Sequence, residues 1–246
     1  MLSDRVMRIA ASPTMKVAAK RKRLKAERIN VIDTSVGEPD FPTPQNIKDA
    51  VKKAIDDNHT KYTINMGTVE LHKAIVDKFK KDNNLDYKLS EIIVSSGAKQ
   101  SIFNAILATV SKDDEVIVTS PYWVSYPEMI SLAEEKTVVI ETFEENGFRI
   151  SPELPDVAII PKTKVFILCN PSNPTGSAYN RNQLEEIAEV IKKYNFLVIS
   201  HEIYEKLLYD NFEFISFASL GERIKKHTII VNGVSKTYSI TGWRIG

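Results

Sequence analysis

The chain has 246 residues, of which 43% are hydrophobic and 26% are charged, and its formal net charge is +1. This composition is typical of a soluble globular protein and gives no support for a nucleic-acid or membrane-surface partner. Residues 1–19 contain no apolar core of signal-peptide length, and a single cysteine, Cys169, excludes an internal disulfide, so a cytoplasmic location is expected. Cys169 ends an apolar run and is expected to be a small buried hydrophobe. The four histidines have no metal-ligand spacing, so no metal site is expected.

The first part of the chain predicts helices joined by irregular segments. Residues 12–14 indicate a helix start, and the basic helix that follows lacks interleaved aromatics, so we interpret it as a solvated face rather than a nucleic-acid-binding one. Three prolines follow Gly37 within residues 37–44, which predicts an exposed, shaped loop. Helices are predicted over residues 45–57 and 69–81, with the polar segment 61–67 between them.

From residue 91 onward, short β-rich runs alternate with helical ones. The strands are predicted at residues 92–94, 116–118, 138–140, 165–168, 196–199 and 228–231. The helices are predicted at residues 100–110, 122–133 and 183–193. Continuous apolar strands separated by helices predict an α/β fold, with a buried, mainly parallel sheet and helices on both faces.

Ligands bind to such sheets at the carboxyl ends of the strands. The residues that follow the predicted strands are therefore candidates for a site, and they are rich in small, hydroxyl, amide and aromatic side chains. These exits are residues 95–99, 120–123, 170–176, 200–204 and 235–236.

The last exit carries the side chain with the most distinctive chemistry. Lys236 follows Ser235 and precedes Arg244 by eight residues. Its amine could form a Schiff base with an aldehyde cofactor whose phosphate is held by the hydroxyl and the guanidinium. Taken alone, this stretch favours the simpler interpretation of Lys236 as one of many surface lysines.

The other exits also allow two interpretations each. Residues 95–98 could bind phosphate through backbone N–H groups at a helix start, or form a plain tight turn, and they do not match a nucleotide-binding glycine motif. Trp123 could stack on a flat heteroaromatic ring or pack in the core. Asn173, aimed by the turn at Pro174, and Tyr204 could donate hydrogen bonds, or could be structural residues of a loop and an edge.

In order and spacing, these segments together resemble the class I aminotransferases of pyridoxal-phosphate fold type I. The resemblance is strongest to the bacterial aspartate aminotransferase branch and extends over essentially the whole chain. The matching segments are residues 37–41, 61–63, 121–127, 170–176, 202–204 and 235–246.

The resemblance implies a role for each matching residue. Lys236 would be the catalytic residue, binding pyridoxal 5'-phosphate covalently and moving a proton between Cα and C4′. Trp123 would stack on the pyridine ring, and Asn173 and Tyr204 would hydrogen-bond its phenolic oxygen. The phosphate would be held by Gly97, Ala98, Lys99, Ser235 and Arg244. Tyr62 would reach the phosphate in the neighbouring subunit of a homodimer. The substrate would be bound by Gly37, through its backbone, together with Trp123 and Asn173.

His201 departs from the pattern of that family. The family has an aspartate here, which pairs with the protonated pyridine nitrogen and keeps the ring an electron sink. A neutral imidazole could accept a hydrogen bond from that nitrogen but brings no negative charge, and an imidazolium would repel it. We therefore expect His201 to contact the cofactor ring and the protein to have reduced activity.

The chain ends at Gly246, where the resemblance predicts a further strand. We expect residues 1–43 to belong to a small domain and residues 44–246 to an incomplete cofactor-binding large domain. On this view the chain alone would be poorly soluble or partly folded. The expected function is transfer of an amino group between an L-amino acid, of aspartate or glutamate type, and a 2-oxo acid by a ping-pong mechanism. The alternatives are a catalytically impaired cofactor-binding relic and a β-lyase on the same fold.

Overall fold

Five apolar runs of the sequence form one parallel sheet in the computed structural model, which describes residues 1–10, 13–33, 37–150, 159–194 and 196–246. The strands are β1 (Glu115–Ser120), β2 (Lys136–Glu141), β3 (Thr163–Cys169), β4 (Leu197–His201) and β5 (Thr228–Val231). Their order across the sheet is β2-β1-β3-β4-β5, and every neighbouring pair is parallel. The carboxyl ends of all these strands therefore lie along the same edge of the sheet.

Helices precede the sheet and connect its strands. They are α1 (Asp4–Met7), α2 (Pro13–Ala26), α3 (Gln45–Asp56), α4 (Val69–Asn83), α5 (Ala98–Thr109), α6 (Ser125–Leu132), α7 (Arg181–Lys193) and α8 (Glu222–Lys226). Short 3-10 turns occur at Leu89–Glu91, Glu144–Asn146, Phe217–Leu220 and Thr241–Trp243. Helix α5 begins at Ala98, earlier than predicted, and helix α6 begins at Ser125, later than predicted.

Both faces of the sheet are buried by helices. Successive residues of a strand point to opposite faces, so Ile117 and Val118 belong to different clusters. Ile117 lies in the cluster of Leu184 from helix α7, and Val118 lies in that of Ile102 and Ile130 from helices α5 and α6. Burying each such side chain stabilises the fold by about 1.5–3 kcal/mol. The predicted α/β fold with helices on both faces is confirmed.

Helix α7 starts at a reciprocal pair of side-chain caps. Oδ1 of Asn180 accepts a hydrogen bond from the backbone N–H of Gln183 at 3.0 Å, and Oε1 of Gln183 accepts one from the N–H of Asn180 at 2.9 Å. This capping box satisfies two N–H groups that a helix start leaves free. It fixes the end of the loop that leaves strand β3.

The strand predicted at residues 92–94 is wrong. Ile93 is 67% exposed, and the backbone N–H of Val94 donates to the carbonyl of Met66 at 2.7 Å. Ladder-like pairing occurs one residue later, where Ser95 and Gly246 exchange two backbone hydrogen bonds of 2.6 and 3.1 Å. A β-branched run forms a strand only where a neighbouring strand pairs with its backbone, and one residue pair is too short a ladder.

The amino-terminal segment contributes little buried surface. The basic helix α2 is mostly exposed, as expected of a solvated face. Ser12, at the predicted helix start, and residues 34–36 lie outside the described residues. Within the described ranges, no helix has both the length and the apolar character needed to cross a bilayer.

Candidate active site

The residues predicted at the strand exits come together at the carboxyl edge of the sheet. Strands β3 and β4 are in register at Cys169 and His201, so the segments that follow them start side by side. The ring of Trp123, after strand β1, lies 5.7 Å from the His201 ring between centroids, at 37°. This edge is therefore one site assembled from three strand exits and the loop after strand β5.

Lys236 lies in that loop and is half-buried. Its ammonium group donates a hydrogen bond to the carbonyl oxygen of Gly37, so the two residues predicted to act on substrate meet in the folded chain. Burial lowers the pKa of Lys236, the nearby Glu38 carboxylate raises it, and the Arg244 guanidinium lowers it. A lysine with a lowered pKa has a larger neutral fraction, which is the nucleophilic form.

The start of helix α5 provides free backbone donors. The N–H groups of Ala98 and Lys99 have no hydrogen-bond acceptor among the residues that the structure describes. Gly97 caps this helix with a φ of +82°, a conformation that favours glycine. Free N–H groups at a helix N-terminus form a binding site for anions.

Two cations accompany those donors. The guanidinium of Arg244 lies directly against Gly97, and it donates a hydrogen bond of 2.7 Å to the carbonyl of Thr241. The ammonium of Lys99 lies 4.9 Å from the centre of the Trp123 ring. Partial burial lowers the pKa of Lys99, and the Arg244 cation lowers it further. Neither cation has an ion-pair partner in the part of the chain that the structure describes, and a phosphate dianion would neutralise their positive charge.

His201 is 4% exposed and lies at the end of strand β4. Its Nδ1 is 2.7 Å from the hydroxyl oxygen of Tyr126 and 3.7 Å from the sulfur of Cys169. Burial lowers the pKa of His201 from 6.5 to about 4, and the positive charge of Lys236 contributes to this shift. The imidazole is therefore neutral at physiological pH.

Asn173 and Tyr204 form a direct pair across neighbouring strand exits. Nδ2 of Asn173 donates a hydrogen bond of 3.2 Å to the hydroxyl of Tyr204. Burial raises the pKa of Tyr204, so its phenol stays protonated and remains a donor. The family resemblance implies that both bond the same oxygen of a ligand, and their contact places the two groups together.

The loop at residues 37–44 is irregular, as predicted, and it packs on the loop that carries Lys236. Oγ1 of Thr43 donates a hydrogen bond of 2.7 Å to the carbonyl of Ser239, and the hydroxyl of Thr241 donates to the carboxylate of Glu38. These contacts hold the carbonyl of Gly37 over the amine of Lys236.

Two predicted residues do not show a direct contact with these groups. Tyr62 is fully exposed, and the chain does not bring it to the site. Ser235 is 5% exposed and directly precedes Lys236, but its hydroxyl makes no hydrogen bond to another described residue.

Tyr126 and Glu38 were not predicted as site residues, and Cys169 was predicted to be buried. Cys169 is partly exposed rather than fully buried, because it lies at the open end of strand β3 beside His201. Tyr126 lies within the segment 121–127 that carried the family resemblance, which was the available signal. Its contact with His201 depends on how helix α6 packs, which no local pattern encodes.

Comparison with known proteins agrees with this fold. Residues 29–246 match the family model described as aminotransferase class I and II. The chain belongs to this family of aminotransferases.

Two relatives of similar sequence carry aspartate in their names. The aspartate aminotransferase of Bacillus subtilis is 47% identical over 245 residues, covering 100% of this chain and 62% of the relative. The aspartate/prephenate aminotransferase of Nitrosomonas europaea is also 47% identical, with 100% and 62% coverage. The chain thus spans about 62% of the length of these relatives.

Solved structures of aspartate aminotransferases superimpose closely on this chain. The aspartate aminotransferase of Rhizobium meliloti superimposes with a TM-score of 0.96 at 41% identity, covering 100% of this chain and 62% of that one. The Thermus thermophilus aspartate aminotransferase with maleate superimposes with a TM-score of 0.95 at 41% identity, with 100% and 63% coverage.

Proposed function

We propose that this chain forms the part of an aminotransferase that binds pyridoxal 5'-phosphate through Lys236. The enzyme would move an amino group between an L-amino acid of the aspartate or glutamate type and a 2-oxo acid. The observation that carries the proposal is the convergence of a half-buried lysine, a guanidinium and the free N-terminus of helix α5 at one edge of the sheet.

The residues present fit the phosphate of this cofactor. An ideal β-carbon on Gly97 would lie 2.2 Å from Nη2 of Arg244, so only glycine leaves the guanidinium in place against the helix start. The N–H groups of Ala98 and Lys99, the Lys99 ammonium and the Ser235 hydroxyl supply further donors. We assign these residues to the phosphate.

The residues around His201 fit a flat aromatic ring. Trp123 would stack on the ring, and Asn173 and Tyr204, already paired at 3.2 Å, would donate to its phenolic oxygen. His201 would contact the ring nitrogen.

When bound, pyridoxal phosphate withdraws electrons from the α-carbon of an attached amino acid. Lys236 would hold the cofactor covalently, and its freed amine would then carry a proton between Cα and C4′. Its lowered pKa favours the neutral amine that this task requires. The first amino acid would leave as its 2-oxo acid, and a second 2-oxo acid would take up the amine.

The substrate class rests on the relatives. Both curated relatives carry aspartate in their names, and the Thermus structure contains maleate, a dicarboxylate. The backbone of Gly37, held next to Lys236, would contact the substrate carboxylate.

Two further assignments concern assembly. Full exposure of Tyr62 is compatible with a homodimer in which this phenol reaches the phosphate of the neighbouring subunit. Residues 1–43 would belong to a small domain, with residues 44–246 forming the cofactor-binding domain.

His201 favours a second candidate function, a cofactor-binding protein with impaired transamination. A neutral imidazole replaces the carboxylate that stabilises negative charge on the substrate. This candidate shares cofactor binding with the first and differs from it in turnover.

Two measurements separate these functions. Adding pyridoxal phosphate should produce the absorbance band of a lysine-bound cofactor, and aspartate or glutamate should then convert that band to the aminated form. A band without conversion would support the impaired protein, and pyruvate release from a cysteine-like substrate would support a lyase. Absence of the band would refute the proposal.

A further inference from the structure

The phenol of Tyr126 and the imidazole of His201 form a buried pair behind the candidate site. Tyr126 is 2% exposed and His201 is 4% exposed. The hydroxyl oxygen lies 2.7 Å from Nδ1, a distance that requires a hydrogen bond. The two rings cross at 79°, edge to face.

The neighbouring groups determine which partner donates. The thiol of Cys169 donates to the carbonyl of Pro171 at 3.4 Å, so its hydrogen is already placed. Of the remaining acceptors, an unprotonated imidazole nitrogen is stronger than a thiol sulfur or a phenol oxygen. The Tyr126 hydroxyl therefore donates to Nδ1. Burial keeps the pKa of Tyr126 well above its usual value, so the hydroxyl retains its proton.

A neutral imidazole carries one N–H, so a proton acceptor at Nδ1 requires the proton at Nε2. Nε2 has no hydrogen-bond partner among the described residues. The rings of Trp123 and Tyr204, at 5.7 and 6.4 Å between centroids, lie beside the imidazole on the side of the site.

We propose that Tyr126 is a positioning residue that fixes His201 as the Nε2–H tautomer, so that His201 donates a hydrogen bond into the cofactor site. The identity of the acceptor rests on the proposed function: it is the ring nitrogen of pyridoxal phosphate. A donor at this position binds the unprotonated nitrogen, whereas a carboxylate binds the protonated one. The chain thus replaces a charged acceptor with a neutral donor, and the cofactor ring is held in its less electron-withdrawing form.

The tautomer can be measured without cofactor. In the full chain labelled with 15N-histidine, long-range proton–nitrogen NMR correlations distinguish the two tautomers and the imidazolium, and His201→Asn assigns the signal. At neutral pH we expect Nδ1 to be unprotonated and Nε2 to be protonated. A dominant Nδ1–H tautomer, or an imidazolium, would overturn the proposal.

A matched pair of variants tests the role of Tyr126. Tyr126→Phe removes the donor and should give a mixture of His201 tautomers. Tyr179→Phe removes another buried phenol, one that accepts a 3.0 Å hydrogen bond from the N–H of Ile150, and should leave the His201 signal unchanged. An unchanged tautomer in Tyr126→Phe would contradict the positioning role, and if that variant does not fold, the tautomer of the native chain still decides the proposal.

Cofactor labelled with 15N at the pyridine nitrogen tests the contact itself. In the native chain this nitrogen should be unprotonated, and in His201→Asp it should be protonated. A protonated nitrogen in the native chain would overturn the inference while leaving the proposed function intact. Failure to bind cofactor would instead refute the proposed function, and the tautomer measured without cofactor would still stand as a result.

Discussion

The guanidinium of Arg244 occupies the space that a side chain at Gly97 would need. An ideal β-carbon on Gly97 would lie 2.2 Å from Nη2 and 2.8 Å from Cζ of Arg244, far inside van der Waals contact. The absence of a side chain at Gly97 therefore lets Arg244 reach the N-terminus of helix α5. The same contact explains how residues 147 positions apart in the sequence come to share one anion site.

Gly97→Ala should weaken the binding of pyridoxal phosphate by about tenfold to a hundredfold. The new methyl group would push the flexible guanidinium away from the helix start, and a hydrogen bond to a charged group is worth about 1.5–3 kcal/mol. The dissociation constant, measured by titrating cofactor absorbance, checks this.

Gly176→Ala is the matched control. Gly176 also has a positive φ, +71°, but a β-carbon there would meet nothing within 4 Å. Strain of about 1 kcal/mol should lower stability without changing cofactor affinity. Equal loss of affinity in both variants would show that backbone strain, and not the displacement of Arg244, is responsible.

His201→Asp should raise transaminase turnover about a hundredfold in any folded chain that contains these residues. The carboxylate would pair with the protonated ring nitrogen and stabilise negative charge in the transition state by roughly 3 kcal/mol. The Tyr126 hydroxyl could still donate to it. Single-turnover rates with aspartate test this, and His201→Asn is the neutral control. Equal rates for the native chain and His201→Asp would contradict the prediction.

Glu202 gives a prediction about stability and pH. Its side chain is buried, and burial raises its pKa from 4.5 to about 7, although Ser200, Ser216 and the N–H of Phe217 donate to Oε1. A carboxyl with a higher pKa in the folded state binds more protons when folded. Its contribution to stability is therefore complete below pH 4.5 and is lost as pH rises to about 7.

Glu202→Gln should remove this loss. The amide oxygen can accept the same hydrogen bonds, so the stability of the variant relative to the native chain should increase by about 3 kcal/mol between pH 4.5 and 7. Free energies of unfolding from denaturant titrations across this range provide the test. As a control, Glu213→Gln changes an exposed carboxylate, and its free energy of unfolding should change with pH as that of the native chain does. The same pH dependence in Glu202→Gln and the native chain would refute the argument.

The contribution of His201 to stability changes with pH in the opposite direction. It should be measurable in Glu202→Gln, where the contribution of Glu202 is absent. The pKa of His201 is about 4 when folded against 6.5 ordinarily, so the folded state binds fewer protons between these values. Its contribution is present above pH 6.5 and is lost as pH falls towards 4. Stability of Glu202→Gln should consequently rise with pH over this window.

Much of the fold was predictable because its signals are local. The apolar run at residues 165–168 of strand β3 is buried on both faces, and the alternation of such runs with helices predicted a parallel sheet. The run at residues 92–94 is also apolar and β-branched, but among the described residues no strand pairs along its length. The composition of a segment indicates its propensity to form a strand, whereas strand pairing depends on distant parts of the chain.

The site was predictable to the extent that parallel strands place their exits together. That rule brought Trp123, Asn173 and Lys236 to one edge without any knowledge of side-chain geometry. The contact of Tyr126 with His201 could not be predicted, because it depends on the packing of helix α6 against strand β4. The hydrogen bond that we propose from Tyr126 makes His201 a donor towards the site, whereas the family resemblance suggested that it accepts a hydrogen bond there.

Covalent attachment of the cofactor to Lys236 is the central claim. Borohydride reduction of the chain with pyridoxal phosphate, followed by peptide mass mapping, identifies the modified lysine directly. We expect the label on Lys236, and its loss in Lys236→Arg, which keeps the positive charge but cannot form a Schiff base. As a control, Lys164→Ala changes an exposed lysine that is distant in sequence from Lys236, and this variant should still carry the label on Lys236. Label on Lys99 or spread over surface lysines, with Lys236 unmodified, would contradict the account.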